Sequence, residues 1–308
     1  MATKARVGLI IPSAFAGPLP KPREFAAFFR AADRLGFHSL WIIERFLHTS
    51  QILHTFTTLT WAAALTKNIK VATGVALAVF HNPILLAKMA ATMDYLSGGR
   101  LILGLSLGGR PEEFPAFGIS PRQRRGRLEE TITILRKLWT EPRVTFQGRY
   151  FKLEGVTVAP RPATPQGIPI ILGTAAEPGL RRAATMADGW IAGSGGTPEA
   201  MKETWQMIAQ FAKEAGRNPD TLDAAKLLYM NVDDDKDRAR ERLEPFIRGY
   251  YGERFDVDRF CVFGPPQECA QGIQRYLDAG IKTIALGLPW PDVRLLERVA
   301  NEVVPRLS

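Results

Sequence analysis

The chain has 308 residues, 46% hydrophobic and 23% charged, which suits a soluble protein with one large core or two smaller ones. Its net charge of +9 suits anionic partners, but the basic residues are scattered and form no nucleic-acid-reading module, so no nucleic-acid partner is expected. Two cysteines, Cys261 and Cys269, make no disulfide framework, four scattered histidines lack zinc spacing, and no apolar run reaches membrane-spanning length, so neither a metal nor a membrane is expected.

In chain order, Met1 leads through a few polar residues into the first strand without a signal-peptide pattern, which implies a cytoplasmic setting. Residues 7–12 (VGLIIP) predict a buried strand ended by proline. Pro22 opens a helix to Leu35 with Phe25, Phe28, Phe29 and Ala32 on its apolar side, and Gly36 ends it. Residues 39–43 (SLWII) are a second strand, with Glu44-Arg45-Phe46 at its end. A Thr- and Ala-rich helix follows over 54–65, and residues 70–79 (KVATGVALAV) read as one third strand. In the run FHNPILLAKMAATMDYLSGGRLILGLSLGG, residues 80–109, Asn82 fits an N-cap and Pro83 the first helical turn. Gly98 and Gly99 close that helix, and a fourth strand, 100–107, ends at Gly108-Gly109. Leu85, Met89, Met93 and Leu96 recur at three and four, so they are expected on its buried face.

A long helix spans about 120–139, with Arg122, Arg124, Arg125 and Arg127 on its first turns. Residues 140–168 read as an insertion: a hairpin around Gly148, then a Pro-rich connection. Strand five (169–172) leads to Gly173-Thr174-Ala175-Ala176, and strand six (189–192) to Gly193-Ser194-Gly195-Gly196-Thr197, each followed by a helix. Strand seven is placed at 226–232, followed by an acidic cap at 233–235 and helices to about Tyr250 and over 266–279. Strand eight is placed at 282–286 and a closing helix at 291–307. Eight continuous apolar strands alternating with helices predict an α/β protein, a single (β/α)8 barrel over residues 1–308 with the hairpin inserted before strand five. The loops after the strands then share one rim, where such barrels place their sites.

The loops 173–176 and 193–197 each set glycines and a hydroxyl residue between a strand end and a helix start, a geometry that exposes backbone N–H groups to a phosphate. Gly74 inside Thr73-Gly74-Val75 suggests a flat body lying close to the backbone. Ser106 and Gly108 end the fourth strand on the same rim and join the candidate cofactor-binding set. Glu44 and Arg45 are the candidate catalytic residues, Arg45 for holding negative charge and Glu44 for holding Arg45 or moving a proton; the alternative is a structural ion pair joining loop to barrel. His81 reads as a loop cap, Arg110, Glu112 and Glu113 as a solvated loop, and Trp41, Trp61, Trp139, Trp190 and Trp205 as core. No lysine stands alone on an apolar strand and no Ser-His-Asp set is present, so a cofactor is expected to carry the chemistry.

The run at 80–109 closely resembles the signature of the bacterial luciferase-like superfamily of flavin and deazaflavin oxidoreductases, and GFHSLWIIERF, VTFQGRYFKL, PIILGTA and the ADGW at 187–190 agree with it. The resemblance spans nearly the whole chain. It implies a barrel binding coenzyme F420 (a deazaflavin) or FMN, with the ring on Thr73-Gly74-Val75, a non-proline cis peptide at Gly74–Val75, and the phosphate on Gly173-Thr174-Ala175 and Gly193–Thr197. Two departures matter: Arg45 stands where many members carry a histidine, and Gly109 where the sugar-phosphate dehydrogenases carry a glutamate. The Glu-Arg-Phe form resembles a subset assigned to the deazaflavin, so the expectation is an F420-dependent oxidoreductase that transfers hydride to or from a small organic substrate. An FMN-dependent monooxygenase and a non-catalytic cofactor-binding barrel are the alternatives; a homodimer is the family's habit, and the apolar helices near 55–65 and 83–96 are its expected face.

Overall fold

Apolar strands flanked by helix starts build a closed parallel barrel in the computed structural model, which describes residues 5–15 and 17–308. Its strands are β1 (Arg6–Ile10), β2 (Ser39–Ile42), β3 (Lys70–Thr73), β4 (Leu101–Ser106), β5 (Ile170–Gly173), β6 (Gly189–Ala192), β7 (Asp223–Val232) and β8 (Thr283–Gly287). Arg6 lies opposite Thr283, so β8 pairs with β1; Leu103 opposite Ile170 joins β4 to β5 and completes the ring. Around it stand α1 (Pro22–Arg34), α2 (Thr55–Leu65), α3 (Pro83–Ser97), α4 (Arg124–Thr140), α5 (Glu177–Met186), α6 (Pro198–Glu214), α7 (Lys236–Tyr251), α8 (Pro266–Asp278) and α9 (Val293–Arg298). The fold expected from the sequence is the one formed.

Strand alternation divides the core in two. Ile10, Trp41, Ala72, Ile102, Ile171, Ile191, Leu227 and Ala285 fill the barrel interior. Leu9, Leu40, Val71, Leu103, Leu172 and Leu228 face outward and pack with the helices. The inserted hairpin pairs Val144–Gln147 with Lys152–Val156, and the Glu130 carboxylate of α4 accepts the Arg149, Tyr150 and Phe151 N–H groups at its tip.

Several expectations are corrected. The third strand stops at Thr73; Ala76–Leu77 resume as a separate short strand beside β4, and a 3-10 turn follows over Ala78–Phe80. On α3, Asn82 and Gly98 cap as expected, but Leu85 and Leu96 are exposed at 56% and 69%. The buried face carries Leu86, Ala87, Ala90, Ala91 and Met93, because α3 is apolar on most of its circumference and its alanines allow close approach to the barrel. Trp61 is half-exposed rather than core. β7 begins at Asp223, three residues before the expected start, and its end pairs with an unforeseen short strand, Val262–Gly264. The final helix is α9 alone; Val299–Val303 widens into a π turn, and Pro305, without an N–H, lies in a closing 3-10 turn.

Candidate active site at the barrel mouth

The break in the third strand organises the mouth. Thr73 is fully buried, and its hydroxyl donates to the Gly104 carbonyl at 2.6 Å. The Gly74–Val75 peptide is cis, and both residues are half-buried. This stretch packs where two other strands lack side chains. A Cβ on Gly104 would lie 2.1 Å from the Thr73 carbonyl oxygen, and one on Gly173 would lie 2.9 Å from Val75 Cγ1. Gly173 was among the expected site residues, whereas Gly104 sits in LILGLS, an ordinary-looking strand, and was missed. Ser106 Oγ accepts the Gly108 N–H at 3.4 Å, and Gly108 has φ +89°, so the end of β4 turns away beside Val79 and Phe80.

Glu44 follows β2 and is buried. Its Oε2 accepts the Leu77 N–H at 2.7 Å and His81 Nε2 at 2.8 Å; since a carboxylate only accepts, His81 donates. Glu44 therefore pairs with His81 and not with Arg45, and His81 is more than a loop cap. The Arg45 guanidinium instead lies 4.7 Å over the Tyr250 ring, which also stacks on His48. Burial first, then the Arg45 and Arg110 charges, holds His48 below the usual histidine range. Glu44 Oε1 and Arg45 Nη1 are both buried without a partner among the described residues. Unpaired buried polar atoms are costly, and a bound molecule offering a donor and an acceptor would satisfy them.

Glu113 was expected on a solvated loop but is buried. Its carboxylate accepts the N–H groups of Phe46, Leu47 and Arg110, tying the loop after β2 to the loop after β4. It also lies 2.7 Å from where a Cβ on Gly109 would stand, so it occupies space a side chain at 109 would need.

The two glycine loops lie side by side, since Gly173 pairs with Ile191 and Trp190 Nε1 donates to the Thr174 carbonyl at 2.8 Å. Ala175, Gly193 and Gly195 are exposed, and Cβ atoms on the two glycines would meet nothing within 4 Å. Gly196 has φ +93°, and the Thr197 side chain caps α6 by accepting the Ala200 N–H. Ser194 is buried, and the Tyr251 hydroxyl lies 3.0 Å from that of Tyr229. Burial pushes both tyrosines above their ordinary range, so they stay neutral donors. Contrary to the expectation that no lysine stands on an apolar strand, Lys226 is fully buried in β7, the consequence of that strand's earlier start. The structure thus brings together Glu44, Arg45, Thr73–Val75, Ser106, Gly108 and both loops at one end of the barrel.

A family model described as luciferase-like monooxygenase matches residues 5–256. The chain belongs to the luciferase-like monooxygenase family. A relative in this family, an F420-dependent glucose-6-phosphate dehydrogenase from Kineococcus radiotolerans, is 30% identical over 93% of both chains. Two solved luciferase-like folds superpose on nearly the whole chain. An F420-dependent secondary alcohol dehydrogenase in complex with an F420-acetone adduct gives a TM-score of 0.87 at 22% identity, covering 99% of this chain and 100% of that one. The oxygenating constituent of 3,6-diketocamphane monooxygenase from Pseudomonas putida, in complex with FMN, gives 0.82 at 21% identity, covering 99% of each.

Proposed function

We propose that the chain is a coenzyme F420-dependent oxidoreductase that transfers hydride between the deazaflavin and a small organic substrate. The observation that carries this reading is the pair of buried atoms unpartnered among the described residues, Glu44 Oε1 and Arg45 Nη1, beside a backbone shelf seated against Gly104 and Gly173. Thr73, Gly74 and Val75, with Ser106 and Gly108, would hold the ring. Gly173, Thr174, Ala175, Gly193, Ser194, Gly195, Gly196 and Thr197 would hold the phosphate. The deazaflavin, when bound, supplies the hydride-carrying carbon. Arg45 holds negative charge on the ring or substrate oxygen, and Tyr250 keeps its guanidinium in place. Glu44, oriented by His81, offers its second oxygen to a ring or substrate N–H or O–H. The +9 chain favours a cofactor with a phosphate and an acidic tail.

The substrate seat follows from the lining of the same rim. A cavity of about 260 Å³ lies between Ala14, Phe15, Pro18, Phe246, Tyr250 and Trp290, and no charged side chain among the described residues lines it. A sugar phosphate would need cationic partners, so a neutral, largely apolar substrate fits better. The homodimer belongs to this reading too: α2 and α3 leave an open apolar groove lined by Phe56, Trp61, Met89 and Leu96, which a second copy would cover. So does a cytoplasmic setting, which suits two buried free thiols.

Fluorescence titration tests the cofactor. F420 is expected to bind saturably and more tightly than FMN, and Arg45→Ala to weaken F420 by about tenfold through loss of a charge-assisted contact. Absence of saturable binding for both cofactors rejects the reading, and oxygen uptake dependent on reduced FMN would select a monooxygenase instead.

A further inference from the structure

Behind the loop that follows β6 stands a buried charge. Lys226 is fully buried and shares the outward face of β7 with Ala224 and Leu228, so its side chain lies between strand and helices. Its ammonium donates to the carbonyls of Gly193 at 2.6 Å, Ser194 at 3.0 Å and Leu227. Tyr276 of α8 lies 5.5 Å from it and donates its hydroxyl to the Gly196 carbonyl at 3.1 Å. No carboxylate bridges Lys226 among the described residues. Its neighbour Cys261 is held neutral by burial, which pushes that thiol up to about 12. Burying a cation against carbonyls alone is costly, and burial draws the Lys226 amine down to about 7; three carbonyl acceptors nonetheless match the three donors of the ammonium.

The carbonyl and N–H of one trans peptide point in opposite directions. With the Gly193 and Ser194 carbonyls drawn to Lys226 and that of Gly196 to Tyr276, the N–H groups of Ser194, Gly195 and Thr197 face the other way. None of these three N–H groups has an acceptor among the described residues. Side chains at Gly193 and Gly195 would meet nothing within 4 Å, so the loop is open there. We infer that Lys226 is the positioning residue of the phosphate cradle, pulling the loop carbonyls back so that its amides present themselves to the cofactor's phosphate with a positive charge behind them. This inference rests on the proposed cofactor reading.

The test compares a deazaflavin mononucleotide with the same deazaflavin nucleoside lacking phosphate, by equilibrium fluorescence titration of the purified chain. In Lys226→Met the mononucleotide is expected to weaken by about tenfold or more while the nucleoside changes by less than about twofold. Tyr276→Phe, which frees only the Gly196 carbonyl, should reproduce the effect at about threefold, and it carries the test if the lysine variant fails to fold. A ratio of the two affinities unchanged in Tyr276→Phe, and in Lys226→Met where it folds, overturns the assignment alone. A wild-type chain that binds neither form overturns the cofactor reading and the assignment with it.

Discussion

At the scale of single residues, burial decides which groups matter and which way they titrate. His38, after α1, bonds Ser39 Oγ at 3.0 Å, and burial, then the Lys70 and Arg6 charges, pull it down to about 4 from 6.5. Between those values the unfolded chain binds a proton that the folded chain refuses. The contribution is therefore complete above about pH 6.5 and is lost as pH falls towards 4, with His48 acting in the same direction. The urea midpoint should fall from pH 7 to pH 5, and His38→Gln should flatten that fall. Such roles are hard to see in a linear chain. Glu44 and Arg45 were marked by their place after an apolar strand, but Glu44's partner, His81, lies 37 positions away and only the fold joins them. Glu113 misled for the same reason: its backbone partners come from the loop after β2.

At the scale of elements, helix starts and strand ends were largely legible, since Asn82, Pro83, Gly98 and Pro198 act locally. Faces were less legible. α3 is apolar nearly all round, so spacing could not say which side meets the barrel, and Leu85 and Leu96 fell outside. The pairing of Gly104 with the broken third strand was also invisible, because a glycine's value there lies in what approaches it. Gly104→Ala places a methyl against the Thr73 carbonyl, so it should cost about 2 kcal/mol of stability by overpacking. It should also abolish F420 binding, as calorimetry and cofactor titration would show; Gly193→Ala, with open space around it, should leave the melting temperature nearly unchanged.

At the scale of the molecule, eight alternating repeats sufficed to specify a closed barrel, because each strand needs helices over its outer face. How copies assemble was less accessible. Ile84, Leu85, Tyr95 and Leu96 are exposed apolar residues of α3, next to half-exposed Trp61 on α2. If this face joins two copies, Leu96→Glu should convert a dimer to a monomer in light scattering at micromolar concentration while leaving F420 affinity within about twofold. A mass of one chain for the wild type would remove the dimer from the proposal.

β7 belongs to two ladders at once: its first part is a stave of the barrel, and Met230–Val232 clasp Val262–Gly264 outside it. The 29 residues between, 233–261, thus leave and return through one zipped gateway, with Asp233 N–H fastened to the Gly264 carbonyl. Phe246, Tyr250 and Tyr251 all ride on that excursion. It behaves as a cassette, and its contents can be rewritten, or exchanged between paralogues, without sliding any stave against its neighbour. On the proposed reading, in which Phe246 and Tyr250 line the substrate seat, changes in what the enzyme accepts have their cheapest route there.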